Sequence, residues 1–552
     1  MISAIQFEGQ PQEPNRPIGI DVATREFIRA YFQYGKHDKY YCVCPNQEAF
    51  ALFKTYAAEE NIGESKCVSI NQNDPLGLNL ANCLTRYDPN IVKNAWARRH
   101  HGDSQYSLCG ISHSIASEYA MEAIGSYLTS PLTHWDALIC PSRSIKKAAE
   151  TIIHSWESYL SEKFGGKFSC PVQLPIIPLG VDSKRFSSFS AANIRKTQRE
   201  QLGIQDDQLV ILYVGRLNYI AKANPLPLLV AAEKASKNIS CSLRIIFNGY
   251  FNDEPNRDAF YQATKTICNN VKVTFVTPDD DRFPSGVWGA GDIFCSLPDS
   301  IQESFGLTPI EAMAVGLPVI VSDWNGYKDT VRNGIEGLTI PTYLPQYKDY
   351  SEVAYRYFSG QYSYGDYLAT TSQSTAVDVR ALTNAITSLA NNPERRISMG
   401  TAGKARVDEV YKWQKVIAQY EELWNELHRR RDIKESTQKK TENFSFHPSR
   451  PNPLKMFASY TDHFIDLEGK VSLIDDYTTH LTQLIKLKIG LIMPETLMDF
   501  EEIPGLLGEI EAQPESSLLK IKESIGYADC LLFLMTISWL VKIGICSYHP
   551  PK

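Results

Sequence analysis

The sequence predicts an α/β protein built as two successive halves, each a mostly parallel sheet dressed with helices, followed by a mostly helical C-terminal extension. Three observations carry this expectation. Strand-like and helix-like segments alternate from Ala4 to Arg431, the pattern of repeated β-α units. Several strand candidates, such as Ile293–Leu297 (IFCSL) and Pro318–Ser322 (PVIVS), are unbroken apolar runs, as strands buried on both faces require. Past a polar stretch at Lys434–Pro453 the pattern turns helical, notably over Thr478–Lys488 and Leu518–Ile545.

Composition bounds the function classes. A chain of 552 residues is long enough for two or three domains. With 43% hydrophobic and 22% charged residues it reads as soluble and globular. A net charge of -7 and a pI near 5.9 argue against a nucleic-acid binder, which would normally show a basic face. The twelve cysteines, scattered from Cys42 to Cys546, show no zinc-type pairs, so a reduced, cytoplasmic chain is expected. The opening MISAIQFEGQPQEPNRP lacks the basic start and apolar core of a signal peptide. The most apolar run, Leu531–Val541, is too short to span a bilayer.

In the first half, Ala4–Phe7 reads as a short strand, followed by a Pro-rich loop and by Gly19 ahead of a helical stretch, Val22–Phe32. Further strand candidates are Tyr40–Val43, Cys67–Ile70, Ser107–Ile111, Ala137–Cys140 and Leu174–Ile177. His113 follows one of them; a histidine past the carboxyl end of a parallel strand faces the crevice where ligands bind. Locally, a loop histidine bonded to its serine neighbours explains it equally well.

In the second half Leu209–Val214 (LVILYV) runs into Gly215-Arg216-Leu217, with Lys222 six residues past the arginine. Leu243–Phe247 and Val271–Val276 add strands, and Asp279-Asp280-Asp281 reads as a solvated turn. Between Ile293–Leu297 and Pro318–Ser322 lies a polar turn and a short helix. Thr308, Pro309 and Glu311 predict its start as hydroxyl cap, first-turn proline and capping-box acid, and Gly316 its stop. Two glutamates, Glu303 and Glu311, stand eight positions apart across that turn. Tyr343–Ser374 is tyrosine-rich with weak periodicity. Asp378–Ala390, Pro393–Tyr411 and Trp413–Arg431 read as helices, the last amphipathic and ending in Arg429-Arg430-Arg431, cations well placed at a helix C-terminus.

The stretch ESFGLTPIEAMAVGLPVIVS resembles the Glu-x7-Glu element of family 4 retaining glycosyltransferases (glycosyl transferases group 1, GT-B fold). WDALICPS at Trp135–Ser142 and PIIPLGVDSKRF at Pro175–Phe186 resemble two further elements of that family, with Leu179 where an asparagine is usual. Asn248-Gly249-Tyr250 stands where the family often has Gly-x-Gly, and the Tyr343–Ser374 stretch is longer than the usual loop. The resemblance is strong over Val210–Ile340 and weak before Ser107.

The resemblance implies two Rossmann-like domains facing across a cleft: 1–185 on the acceptor side and 186–411 on the donor side, with a helix at 412–432 returning to the first domain. A linker at 433–453 then leads to a helical extension at 454–552 that the resemblance does not cover. It further implies transfer of a hexose-type sugar, with retained anomeric configuration, from a nucleoside diphosphate sugar to a glycan, lipid-linked or small-molecule acceptor. Arg216 and Lys222 would hold the donor diphosphate, Glu303 and the amides of Phe305, Gly306 and Leu307 the sugar, and Glu311 the ribose. His113 would position the sugar from the opposite domain, and Gly19 would approach the donor. The expectation needs no cofactor and no metal, because protein cations carry the diphosphate charge. Arg98-Arg99 and Arg429–Arg431 offer basic runs for contact with a membrane face that presents a lipid-linked acceptor. A dinucleotide-dependent oxidoreductase is excluded: no G-x-G-x-x-G opens a helix after any strand. The rival of another class is a non-catalytic nucleotide-sugar-binding or scaffold protein whose tail binds a partner.

Overall fold

A computed structural model describes residues 2–9, 19–71, 75–283, 286–346, 351–435, 447–487, 489–490 and 492–551. The chain divides into two compact units, 1–446 and 447–552. Most of the linker expected at 433–453 falls at 436–446, outside the described residues.

The first unit contains two six-stranded parallel sheets. The first comprises β1 (Ala4–Gln6), β2 (Tyr40–Cys44), β3 (Cys67–Asn71), β4 (Cys83–Arg86), β5 (Ser107–Ile111) and β6 (Ala137–Ile139), in the order β3-β2-β1-β4-β5-β6. The second comprises β7 (Gln208–Val214), β8 (Ser242–Asn248), β9 (Lys272–Val276), β10 (Ile293–Ser296), β11 (Val319–Ser322) and β12 (Gly337–Ile340), in the order β12-β11-β10-β7-β8-β9. Both follow the doubly wound 3-2-1-4-5-6 order, so each has a switch point, between β1 and β4 and between β7 and β10. Ligands of such sheets bind beyond the strands' carboxyl ends at that point.

Apolar side chains fill both faces of each sheet. Val210, Leu212, Phe294 and Val321 point one way, while Ile211, Tyr213, Ile293 and Ile320 point the other, as alternation along buried strands dictates. The expected strand Leu174–Ile177 is not one. It makes only isolated bridges, Gln173 to Ala137 in β6 and Ile176 to Cys140 just past it, because Pro171, Pro175 and Pro178 have no N–H to donate. β4 and β12, unforeseen from sequence, are four residues each.

Helices that matter for the site are α1 (Gly19–Tyr34), α2 (Glu118–Gly125), α3 (Arg143–Phe164), α4 (Leu307–Val315), α5 (Ser351–Phe358), α6 (Tyr364–Gln373) and α7 (Trp413–Glu435). α7 returns to the first sheet: Trp413, Val416, Ile417, Tyr420, Trp424 and Leu427 are buried with Ile5, Phe27 and Tyr31, and Trp424 Nε1 donates to Thr85 Oγ1 at 3.1 Å. The tyrosine-rich stretch is an inserted helix pair. Strands β13 (Thr342–Tyr343) and β14 (Ala376–Val377) pair antiparallel at its base, with α5 and α6 between them.

One arginine of each basic run is buried in the fold. Arg98 is fully buried and grips Asp136 with both terminal nitrogens at 2.7 Å. Arg431 is buried and donates to the Asn82 carbonyl at 2.7 Å, while Arg429 and Arg430 both pair with Glu426. Breaking a buried pair of the Arg98–Asp136 kind typically costs about 3–5 kcal/mol, so these residues hold the first domain together.

The second unit packs Ile503–Ala512, Leu518–Ser524 and Cys530–Lys542 around Val471, Leu506, Phe533 and Ile537. β15 (Lys470–Leu473) and β16 (Cys546–His549) pair antiparallel beside them. The helix expected over Leu518–Ile545 is broken in two: Gly526 turns left-handed at φ 65°, and Asp529 caps the second half by accepting from the amides of Leu531 and Leu532. No helix among the described residues is long and apolar enough to cross a membrane.

Candidate functional site

The second sheet's switch point gathers most of the residues singled out from sequence. Beyond β10, the chain runs through a turn that its neighbours hold rigid. Ser322 Oγ donates to the Pro298 carbonyl at 2.8 Å, and Trp324 Nε1 donates to the Ser300 carbonyl at 3.0 Å. The Asn325 amide donates to the carbonyl of Glu303. The loop after β11 thus braces the turn that carries Glu303.

The helix start differs from expectation. Gly306, at φ 91°, is the N-cap of α4, no side chain caps it, and Thr308 lies inside the first turn. The left-handed backbone, and a Tyr327 ring against which a Cβ at 306 would sit only 1.8 Å away, make glycine obligatory there. Pro309 is tolerated because first-turn amides have no intrahelical partner. Glu311 therefore closes no capping box. Burial pushes its carboxyl up to about 7; Arg185 and Lys222 oppose this and Glu26 of α1 adds to it. Phe305 and Gly306 present backbone only, since the Phe305 ring is buried against Tyr411.

Two cations face this turn. Arg216 leaves β7 and donates from Nη2 to Gln302 Oε1 at 3.3 Å. Lys222 pairs with the Glu303 carboxylate; the two side chains are 17% and 11% exposed, so solvent screens them little. Burial works against the ammonium, but Glu303 outweighs it and holds the lysine charged, above its ordinary range. Asn218 shapes the loop between them, accepting from the amides of Ile220 and Ala221 at 2.9 and 2.7 Å. Gly249 lies flat against the Gly215 carbonyl, where any Cβ would overlap it, so of the expected glycine pair this one is required.

The first domain closes the other side. Ser142 Oγ donates to the Ser304 carbonyl at 2.8 Å and also caps α3. The Arg143 amide donates to Asp329 at 2.6 Å, and Ser144 Oγ donates to the Asn325 carbonyl at 3.0 Å. His113 follows β5, its ring stacked on Tyr87 at 6.1 Å, and its buried Nε2 makes no hydrogen bond among the described residues. Burial lowers its pKa to about 4, so it is a neutral imidazole at pH 7. Gly19 opens α1 beyond residues 10–18, which are outside the described residues.

The structure thus assembles Arg216, Lys222, Glu303, Phe305, Gly306, Leu307 and Glu311 at the end of the second sheet, and places His113 and Gly19 at strand and helix ends of the first. Sequence reading missed Gln302, Asn325, Ser142, Asp329 and Asn218. Only Asn325-Gly326, as a tight turn, and the Pro-Ser ending of the Trp135 stretch gave any signal. Asp280 of the acidic triplet pairs with Arg282 at 2.7 Å. Among the described residues no group of three or more His, Cys, Asp or Glu side chains is placed to hold a metal ion.

Residues 194–359 match the sequence family described as Glycosyl transferases group 1. D-inositol 3-phosphate glycosyltransferase of Rhodococcus erythropolis is 31% identical over 172 residues, covering 31% of this chain and 37% of that protein. The enzyme of the same name from Streptomyces bingchenggensis is 26% identical over 288 residues, 48% of this chain and 61% of its own. The chain therefore spans less than two thirds of each of these relatives. Among solved structures, Anabaena Alr3699/HepE in complex with UDP and glucose aligns with a TM-score of 0.50 at 14% identity, over 77% of this chain and 99% of that one. That likeness, with the two sheet orders, establishes the two-domain B-type architecture.

Proposed function

We propose, from a chain whose residues 194–359 match glycosyl transferases group 1 and whose two sheets take the B-type arrangement, that this protein is a retaining, metal-independent glycosyltransferase. It moves a hexose-type sugar from a nucleoside diphosphate sugar to a hydroxyl of a glycan, lipid-linked or small-molecule acceptor, in the cytoplasm or at the cytoplasmic face of a membrane. One observation carries the reading: Lys222, paired with Glu303, and Arg216, bonded to Gln302, stand together at the switch point of the second sheet.

That geometry suits a departing diphosphate. The bond from the anomeric carbon to the diphosphate oxygen breaks, the acceptor oxygen bonds to the same carbon on the face the diphosphate leaves, and the acceptor's proton passes to the departing diphosphate oxygen. Negative charge grows on the diphosphate as positive charge grows on the sugar, as in glycoside cleavage generally. Arg216 and Lys222 oppose the first, the guanidinium as a planar fork and the ammonium as a point charge. Glu303 then stands beside the sugar, where a carboxylate both orients hydroxyls and favours positive charge. The first-turn amides of α4 add partial positive charge towards the same place. Glu311 takes the ribose, and neutral His113 holds sugar hydroxyls from the first domain.

HepE crystallised with UDP and glucose makes UDP-glucose the first donor to test, and the Rhodococcus relative makes D-inositol 3-phosphate the first small acceptor. Thermal-shift titration with UDP, GDP, ADP and dTDP should give one nucleotide that raises the melting temperature, since a ligand of the folded state stabilises by mass action. Its sugar conjugate should then be consumed by the purified protein. Stabilisation without any transfer or hydrolysis would favour a non-catalytic binder, and no stabilisation by any of the four would remove the donor site.

A further inference from the structure

The turn that carries Glu303 is held from two directions, and one of them belongs to the other domain. Within the second domain, the Asn325 side-chain amide donates to the Glu303 carbonyl. Asn325 sits in the left-handed region at φ 46°, which asparagine enters more readily than most residues with a Cβ. Gly326 beside it leaves no room for a Cβ against Phe305 Cα, so this turn lies flat on the 304–305 backbone. From the first domain, the start of α3 reaches the same two segments. Ser142 Oγ donates to the Ser304 carbonyl at 2.8 Å, and Ser144 Oγ donates to the Asn325 carbonyl at 3.0 Å. Between them, Arg143 meets Asp329 with its backbone amide at 2.6 Å and with its guanidinium. Two hydrogen bonds in series therefore run from Ser144 through Asn325 to Glu303, whose carboxylate pairs with Lys222.

We infer that Ser144 is a positioning residue for Glu303: it holds the Asn325 carbonyl from the first domain, and Asn325 in turn sets the Glu303 backbone. The inference rests on the reading of Glu303 as the group beside the donor sugar. Asn325 can relay because its two polar ends face different domains, the carbonyl towards Ser144 and the side-chain amide towards Glu303. Placement matters at such a position, since a shift of about 1 Å at a reacting centre can cost on the order of 10²-fold in rate. The sugar carboxylate of the second domain thus takes its working geometry from a hydroxyl of the first. Ser142 also caps α3, so its loss would disturb the helix as well. Ser144, one turn position further in, is the residue to change.

The test uses the full chain, whichever of UDP-, GDP-, ADP- and dTDP-glucose the wild type turns over fastest, and the matching nucleoside diphosphate. Ser144→Ala should fold and lower kcat about three- to tenfold, the effect of one hydrogen bond. Its nucleoside diphosphate affinity should stay at the wild-type value, because Glu303 touches the sugar and not the diphosphate. Ser144→Thr, which keeps the hydroxyl, should restore kcat. Asn325→Gly keeps the left-handed backbone and the carbonyl that Ser144 holds, but cuts the bond to Glu303. In that background Ser144→Ala should change kcat less than about twofold, the non-additivity of coupled residues. Wild-type kcat in Ser144→Ala overturns the inference. An equal loss with and without the Asn325 side chain also overturns it, because Ser144 would then be a clasp between domains and nothing more. So does an equal loss of nucleoside diphosphate affinity, or a threonine variant as slow as the alanine one. All of these leave wild-type turnover intact; a wild type that turns over none of the four sugar nucleotides overturns the transferase reading itself, and this inference with it.

Discussion

At the scale of single residues, Glu311 shows how an environment sets a role. Without a capping box to close, its carboxyl sits among Arg185, Glu26 and Lys222, and burial raises it to about 7. A carboxyl whose folded pKa exceeds its unfolded value of about 4.5 stabilises the fold fully below that lower value. The contribution is then lost as pH rises towards about 7. Asp299, also raised to about 7 by burial, acts in the same direction, whereas His113 and His37, both lowered to about 4, act oppositely. The useful quantity is therefore a difference. Glu311→Gln should gain melting temperature relative to wild type as pH rises from about 5 to about 7 and hold that gain above. The same variant should bind the nucleoside diphosphate more weakly, since an amide is a poorer acceptor for ribose hydroxyls than a carboxylate. A melting-temperature difference independent of pH would show that the carboxyl is not buried as described.

At the scale of elements, the acidic turn after β9 and the start of α4 test how far local sequence can be read. Asp280 is occupied by Arg282, so Asp279→Asn with Asp281→Asn should leave turnover in EDTA within about twofold of the wild type. Loss of all activity to chelator would mean a metal-dependent site. The strands were legible wherever an apolar run exceeded three or four residues, and both sheets followed from them. β4 and β12 escaped because four residues with a threonine or glycine among them give no periodic signal. The α4 cap was misplaced because Thr308-Pro309 satisfies local capping rules as well as Gly306 does. What decides is the Tyr327 ring packed on Gly306, a contact between residues 21 apart in sequence that no local rule contains. Of the site, the charged residues were legible through their motif. Gln302 and Asn218 were not, since each acts only through a neighbour that folding brings to it.

At the scale of the whole molecule, the two units predict a clean separation. Residues 1–446 contain both sheets, all four of their apolar faces and the returning helix α7, while 447–552 close a core of their own. A chain ending after Glu435 should therefore fold and bind nucleotide as the full chain does; an insoluble product would show that the tail completes the first unit. The account as a whole depends on the donor diphosphate meeting Arg216 and Lys222. Removing one preorganised donor to a transition-state anion typically costs on the order of 10²–10³ in kcat. The most direct measurement is steady-state turnover of the donor sugar nucleotide by wild type, Arg216→Ala and Lys222→Ala, with nucleoside diphosphate and bare nucleoside affinities measured alongside. Each variant should lose kcat by about that factor and bind the diphosphate more weakly, yet keep wild-type affinity for the nucleoside. Wild-type turnover in both variants would contradict the account, because the diphosphate would then lie elsewhere.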